Sequence, residues 1–497
     1  MVAVPFPPWI PDAYDLNSPG AVAGEAKGVL PGVNAYRPWD QAVVYSEALA
    51  AVCRGAVLTY STSSAPKIFA GTAAKLYKFV DPETAWTDVT RLSGGDYGVS
   101  SDERWSFTPF GDTLIAANIS DATQSIGITS GSNFAALSGS PPNARIAQTV
   151  GEFVMLGGIS GTENSVRWCG RRDATYWTSG KRDAGAQVFR EGGAVYGVTP
   201  LEGGLIFQER AIRRYWPVAS RAVFNFKMVE KNRGLKAPDS LVTLGGVSFY
   251  LSEDGFYATD GSGQSTPIGS EQVDRWFRAN IEYDRVYYIS ATADPTGRRI
   301  YWLFPSVGNT GESMDMCLCY DIALKRWTYA DDFADSLLFA PQTSGYTMET
   351  IGALITSLGY TDLDDFPISL DSKTLSGGSP FTASFSGSTF KMMTHSGSPR
   401  AATLETADFQ PIPQARAYVR GCDLLTDATG ATATLGRKER PQGAVSFGSA
   451  QSQTSTTGKV PIRGSTRFAR VRMSIPAGEV WTQAQGVDVD AIREGSL

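Results

Sequence analysis

The chain has 497 residues, a formal net charge of −6, 42% hydrophobic residues and 19% charged residues. That is globular composition with material for a large core, and the acidic balance gives no basic footprint for holding nucleic acid. The single histidine, His395, removes most histidine-based catalysis and histidine metal sites.

The five cysteines (Cys53, Cys169, Cys317, Cys319 and Cys422) form no CxxC pair. No disulfide framework is expected, which is compatible with assembly in a reducing cytoplasm. Cys317 and Cys319 share one face of a predicted strand, where apolar packing is the common use of isolated cysteines. The first residues lack a basic segment followed by an apolar one, so no secretory signal is predicted. No run of about 18 apolar residues occurs, so no stable membrane insertion by a helix is expected.

In chain order, residues 1–40 read as an extended arm. Pro5, Pro7, Pro8 and Pro11 hold the backbone open around Phe6, Trp9 and Ile10, whose apolar side chains need a surface to dock on. Short apolar strands over residues 55–60, 68–71, 76–80 and 86–89 then form a first four-stranded unit. The clearest unit is residues 239–269, DSLVTLGGVSFYLSEDGFYATDGSGQSTPIG. Strands at 241–244, 247–251 and 256–258, with a weaker one at 266–268, are separated by Gly245-Gly246, Asp254-Gly255 and Asp260-Gly261 turns. Four short antiparallel strands in that length make one blade of a β-propeller.

The unit repeats. Gly111, Gly151, Gly203, Gly245 and Gly297 each precede an apolar strand, at spacings of 40, 52, 42 and 52 residues. Propeller repeats run about 40–50 residues per blade. The fold class is therefore all-β: a propeller of about six blades over residues 41–376, with a generic sandwich as the alternative. Beyond residue 331 the pattern weakens. Residues 345–358 are apolar without blade turns, and Asp362, Asp364 and Asp365 read as an exposed polar turn rather than a calcium loop. A Ser/Gly-rich stretch over 369–398 marks a boundary. Residues 377–497 are assigned to a second antiparallel sandwich or platform, with strands near 415–420, 431–435, 445–447, 459–462 and 468–475. In the last of these, Arg470 and Arg472 with neighbouring Arg467 read as a solvated charged stripe.

No Asp box, no hydrolase elbow with usable partners and no phosphate loop is present. No enzymatic activity, cofactor or metal is expected.

Four stretches carry a resemblance. They are residues 11–39 (PDAYDLNSPGAVAGEAKGVLPGVNAYRPW), Phe69-Ala70-Gly71-Thr72 to Leu76-Tyr77, residues 234–277 with SEDGFYATDG and PIGSEQVDRWF, and Phe468-Ala469-Arg470 to Gly486-Val487-Asp488-Val489-Asp490. Together they resemble the tail nozzle, or tail-hub (tail tubular), proteins of short-tailed double-stranded DNA phages. Leu235 stands where the family usually has Cys, and Val29-Leu30-Pro31 replaces an N-V-x-P-like element. The resemblance implies a structural virion protein assembled in the host cytoplasm, with a propeller and a platform built from the terminal segments. It further implies a hexameric homo-oligomeric ring at the distal tail. The ring meets a head-to-tail adaptor or tail-tube protein above, bears fibres or a tip, and passes genomic DNA without sequence-specific binding. An acidic wall would repel phosphates and avoid sticking.

A nozzle also needs a closure. Loops on a rigid β scaffold are the usual carriers of such function. Residues 221–237 carry Phe224, Phe226 and Met228 and read as part of a blade. The candidate gate is therefore Val307, Gly308, Asn309, Thr310, Gly311, Glu312, Ser313, Met314, Asp315 and Met316, with an ordinary exterior loop as the alternative. The competing function is a propeller that binds or cleaves surface glycans.

Overall fold

The computed structural model describes residues 2–13, 24–80, 84–200, 204–294, 296–342, 345–346 and 348–494. Among the described residues, seven four-stranded antiparallel units follow one another along the chain, six as separate sheets and one within a ten-stranded sheet. Their innermost strands are Ala56–Tyr60, Ser106–Phe110, Ala144–Val150, Val195–Val198, Val242–Leu244, Ser290–Asp294 and Asp335–Phe339. These seven strands surround one central cavity, to which every blade contributes, for example through Ala56, Ser106, Ala147, Val198, Leu241, Ala291 and Leu338. Neighbouring inner strands are tied by side chains. Thr108 Oγ1 lies 2.9 Å from Thr149 Oγ1, and Leu338 N donates to Ser290 Oγ at 2.9 Å. The chain is a β-propeller.

Blade five matches its sequence closely: Val242–Leu244, Val247–Ser252, Gly255–Thr259 and Thr266–Pro267 pair in order. Gly245 and Gly246 sit at φ +59° and +80°, the left-handed region their hairpin requires. Gly111 and Gly151 hold the equivalent hairpin in blades two and three, and Gly297 lies in that of blade six. Gly203 lies outside the described residues. Residues 221–237 contribute Phe224–Lys231, the outermost strand of blade four, as expected.

Blade seven is the unit beyond the six read from the sequence. Asp335–Phe339 pairs with Ala383–Ser386, which pairs with Lys391–Thr394. The fourth strand is Val43–Ala48, from the other end of the chain. Between the first two strands lies an excursion over residues 340–382 that includes helix Met348–Ser357. The expected boundary at 376/377 thus falls inside blade seven, and the propeller runs on to Thr394. Residues 369–398 look like a linker because Ser384, Ser386 and Thr394 occupy buried strand positions.

The second unit is built from both ends of the chain. In one sheet Ala484–Arg493 pairs with Ala417–Thr426 on one side and with Val2–Pro5 and Tyr36–Pro38 on the other. The other sheet is continuous with blade six. Ala26–Lys27 pairs in parallel with blade six's outermost strand, Arg326–Ala330, and antiparallel with Ala402–Glu405. Phe468–Ile475 and Thr432–Lys438 follow. Two residues of the arm therefore join propeller and platform into one ten-stranded sheet.

Candidate functional site

Antiparallel order assigns the connections to two faces. First-to-second and third-to-fourth turns, which include the Gly245-Gly246 hairpin, lie on one face. Second-to-third turns and blade-to-blade connections lie on the other, and there the central cavity opens. Its mouth is lined by Glu103, Arg104, Arg145, Tyr196, Asp239 and Tyr287, and the central cavity measures about 350 Å³.

The charges at the mouth are interleaved. Arg145 Nη2 pairs with Glu103 Oε1 at 2.9 Å and Glu163 Oε2 at 3.5 Å, and its guanidinium lies 5.1 Å from the Tyr196 ring. Arg104 is 8% exposed; its Nη2 donates to the Tyr288 carbonyl at 3.3 Å, and its Nε lies 4.0 Å from Asp239 Oδ2. Burial raises the carboxyls of Glu103 and Asp239 above their ordinary range, and the two arginines oppose that rise. The result is a polar, aromatic-edged funnel whose two arginines lie beside carboxylates.

The candidate gate, residues 307–316, connects the second and third strands of blade six on this same face. It is a folded bridge. Arg285 donates to the Thr310 carbonyl at 2.8 Å and to the Gly311 carbonyl, while Gly308 N donates to Glu282 Oε2 at 2.9 Å. Asn309 Nδ2 reaches Asp315 Oδ1 at 2.8 Å and Ser313 O at 3.0 Å. Glu312 pairs with Arg54 of blade one at 3.2 Å, and Met314, 1% exposed, exchanges backbone bonds with Asp335 of blade seven. The loop thus spans from blade six past blade seven to blade one, with Val307 exposed (62%) at its start.

The arm's apolar residues dock on the chain itself. Phe6 and Trp9 are 4% and 2% exposed, and Ile10 is half-buried. Trp9 makes an edge contact with Trp276 at 5.0 Å and lies 4.9 Å from Tyr329. Asp12 caps helix Asp274–Asn280 from a distance: its carboxylate accepts the amides of Arg275 (2.7 Å) and Trp276 (2.8 Å). Little of Phe6 or Trp9 is left to offer a neighbouring subunit. The motif shared by SEDGFYATDG and PIGSEQVDRWF also has a physical reason. Asp274 tucks its carboxyl between Gly255 and Gly269 and accepts the Phe256 amide at 3.1 Å. A Cβ at Gly255 or Gly269 would meet an Asp274 oxygen at 2.1 or 2.0 Å.

No family model matches the chain, and no curated protein matches it. Among solved structures, the computationally designed Ika8 protein is 8% identical with TM-score 0.38, over 74% of this chain and 95% of that one. YCF48 bound to D1 peptide is 13% identical with TM-score 0.37, over 60% and 87%. The extracellular domain of the putative one component system BT4673 from B. thetaiotaomicron is 10% identical with TM-score 0.41 over 86% of this chain, which spans about half (47%) of that one. Likenesses at this level carry no argument about what the chain does.

The Arg stripe differs in part from its sequence reading. Phe468–Ile475 alternates strictly, burying Ala469, Val471, Met473 and Ile475; Arg470 faces a carboxylate cluster rather than water, Arg472 pairs with that cluster while staying partly exposed, and Arg467 is exposed as read. Arg470 pairs with Asp408 at 2.8 Å, Arg472 with Glu405 at 2.5 Å, and Lys438 also holds Asp408. The residues at the funnel mouth carried no motif. They are scattered over 185 residues of chain and meet only because each stands at or just before the start of an inner strand. Aligning the repeats on those starts would have found them. All five cysteines are buried, and burial pushes their thiols up, Cys53 to about 12. Among the described residues no group of His, Cys, Asp or Glu could hold a metal ion.

Proposed function

We propose that the chain is a structural subunit of the distal tail of a short-tailed phage, a nozzle or hub that rings the path of ejected DNA. One observation carries this reading: the platform is made from both terminal segments and fused to blade six through Ala26–Lys27. That is the architecture which the resemblance in residues 11–39, 69–77, 234–277 and 468–490 implies. The rigid joint suits a load-bearing part. The propeller's own cavity of about 350 Å³ is too small for a duplex, whose major groove alone is ~12 Å wide, so DNA would run between copies. A six-fold ring needs head-to-tail contacts between copies. Because Phe6 and Trp9 are buried at home, those contacts fall to other surfaces. The neighbours in this reading are an adaptor or tube protein above and fibres or a tip below, in the virion.

The test is imaging. Purified chain should form rings in electron micrographs, and labelled antibody should mark the tail end of virions. A monomer under all conditions that binds or cleaves surface polysaccharide would instead establish the glycan-acting alternative, which the aromatic-edged funnel favours. For the gate, replacing residues 307–316 by a short Gly-Ser turn should give particles that leak DNA. Normal retention and ejection would make the segment an exterior loop.

A further inference from the structure

A second cavity, of about 250 Å³, lies on the opposite face from the funnel, between blades six and seven and beneath the 340–382 excursion. It is far larger than the ~10–15 Å³ that admits one water. Its walls include the rings of Trp39, Tyr301, Phe333 and Phe381. Its polar groups come from separate elements and include Asp40 before the closing strand, Asp294 and Arg299 on blade six, His395 just after a strand of blade seven and Ser372 on the excursion.

Two of these groups carry an atom that is buried without a hydrogen-bond partner in the protein: His395 Nε2 and Ser372 Oγ. The histidine's tautomer follows from its neighbour. Arg400 Nη2 lies 3.4 Å from His395 Nδ1, and a guanidinium can only donate, so Nδ1 accepts and Nε2 carries the proton. Burial and Arg400 hold the imidazole neutral, with its pKa near 3. Asp40 supplies a carboxyl whose pKa burial raises to about 6 against the pull of Arg400.

The chemistry selects the ligand. Arg299 already pairs with Asp321 at 3.4 Å, and Arg400 with Asp332, so a bound anion would find no uncommitted cation here. A hydrocarbon would leave the His395 and Ser372 donors unsatisfied, which is costly. A compact polyol meets both demands: its hydroxyls donate and accept in every direction, and its C–H faces lie against aromatic rings. We propose that this cavity binds one neutral monosaccharide unit, held by His395 Nε2, Ser372 Oγ and Asp40 and flanked by Trp39, Tyr301 and Phe333. The site stands apart from the funnel and does not depend on the tail reading.

The experiment is saturation-transfer NMR on the full chain with glucose, galactose, mannose, rhamnose and N-acetylglucosamine, with sulfate as control. At least one sugar should bind saturably and sulfate should not. Ser372→Trp, which fills the cavity from the excursion, and His395→Gln should each weaken that binding by about tenfold or more. Circular dichroism and melting confirm that each variant is folded; if His395→Gln does not fold, Ser372→Trp decides alone. Failure of every sugar to saturate overturns the proposal. So does sugar binding that survives in folded Ser372→Trp, because the sugar then sits elsewhere, as in the funnel.

Discussion

Blades five and seven are built to one plan by opposite means. Blade five is local: four strands within residues 242–267, joined by turns that its own glycines and aspartates specify. Blade seven is distributed: its strands come from residues 43–48, 335–339, 383–386 and 391–394. The first depends on turn chemistry and the second on long-range packing. Perturbations should therefore hurt blade seven through lost burial and blade five through backbone and steric conflict.

The largest effect is expected where the distributed parts meet. Tyr45 on the closing strand is fully buried, against Phe79 and Phe381, and its hydroxyl lies 2.6 Å from that of Tyr346. Tyr45→Ala should destabilise the ring by ~3–5 kcal/mol in denaturant melts, and Trp9→Ala at the platform joint should cost about as much. An effect below ~1 kcal/mol for Tyr45→Ala would show that blade seven does not depend on its fourth strand.

Next comes a pH-dependent contribution. Burial raises the carboxyl of Asp335, on blade seven's inner strand, to about 6, while Ser384 and Arg400 oppose the rise. Folding favours its protonated form, so its stabilising contribution is full below pH ~4 and is lost as pH rises through about 6. Asp335→Asn cannot ionise. It should be more stable than the parent at pH 7 by up to about 3 kcal/mol, with the gain vanishing below pH 4. A constant difference across that range would mean the carboxyl stays charged.

Within blade five two glycines separate strain from crowding. Gly269→Ala drives a methyl into the Asp274 carboxyl at a position without a positive φ and should cost ~2–3 kcal/mol. Gly246→Ala meets nothing within 4 Å and carries only the cost of φ +80°, about 1 kcal/mol. Equal shifts in melting temperature would refute the steric reading of Asp274.

The same contrast explains what the sequence let one read. Blade five was legible because Gly245-Gly246 and Asp254-Gly255 punctuate it within hydrogen-bonding reach. The propeller, its repeat and the place of residues 221–237 within a blade followed from such local signals. Blade seven escaped because the 340–382 excursion separates two strands that pair directly, and because its last strand lies near the start of the chain. The platform joint escaped because Ala26–Lys27 is two residues long and pairs in parallel, with no periodicity to announce it. Arg470 read as solvated because its partners, Glu405 and Asp408, lie more than 60 residues away. The funnel and the His395 cavity are assembled wholly by tertiary placement.

The closing strand also sets a timetable. Val43–Ala48 emerges from the ribosome more than 300 residues before Lys391–Thr394, its pairing partner. At ~5–20 residues per second that is on the order of 20–70 seconds. Through that interval blades one to six can form one by one, but the ring stays an open arc with an unpaired strand at its leading end. An open edge of that kind invites pairing with another nascent chain. Slow synthesis, crowded polysomes or truncation before Thr394 should therefore give interlocked or aggregated chains, whereas completed molecules have the edge sealed.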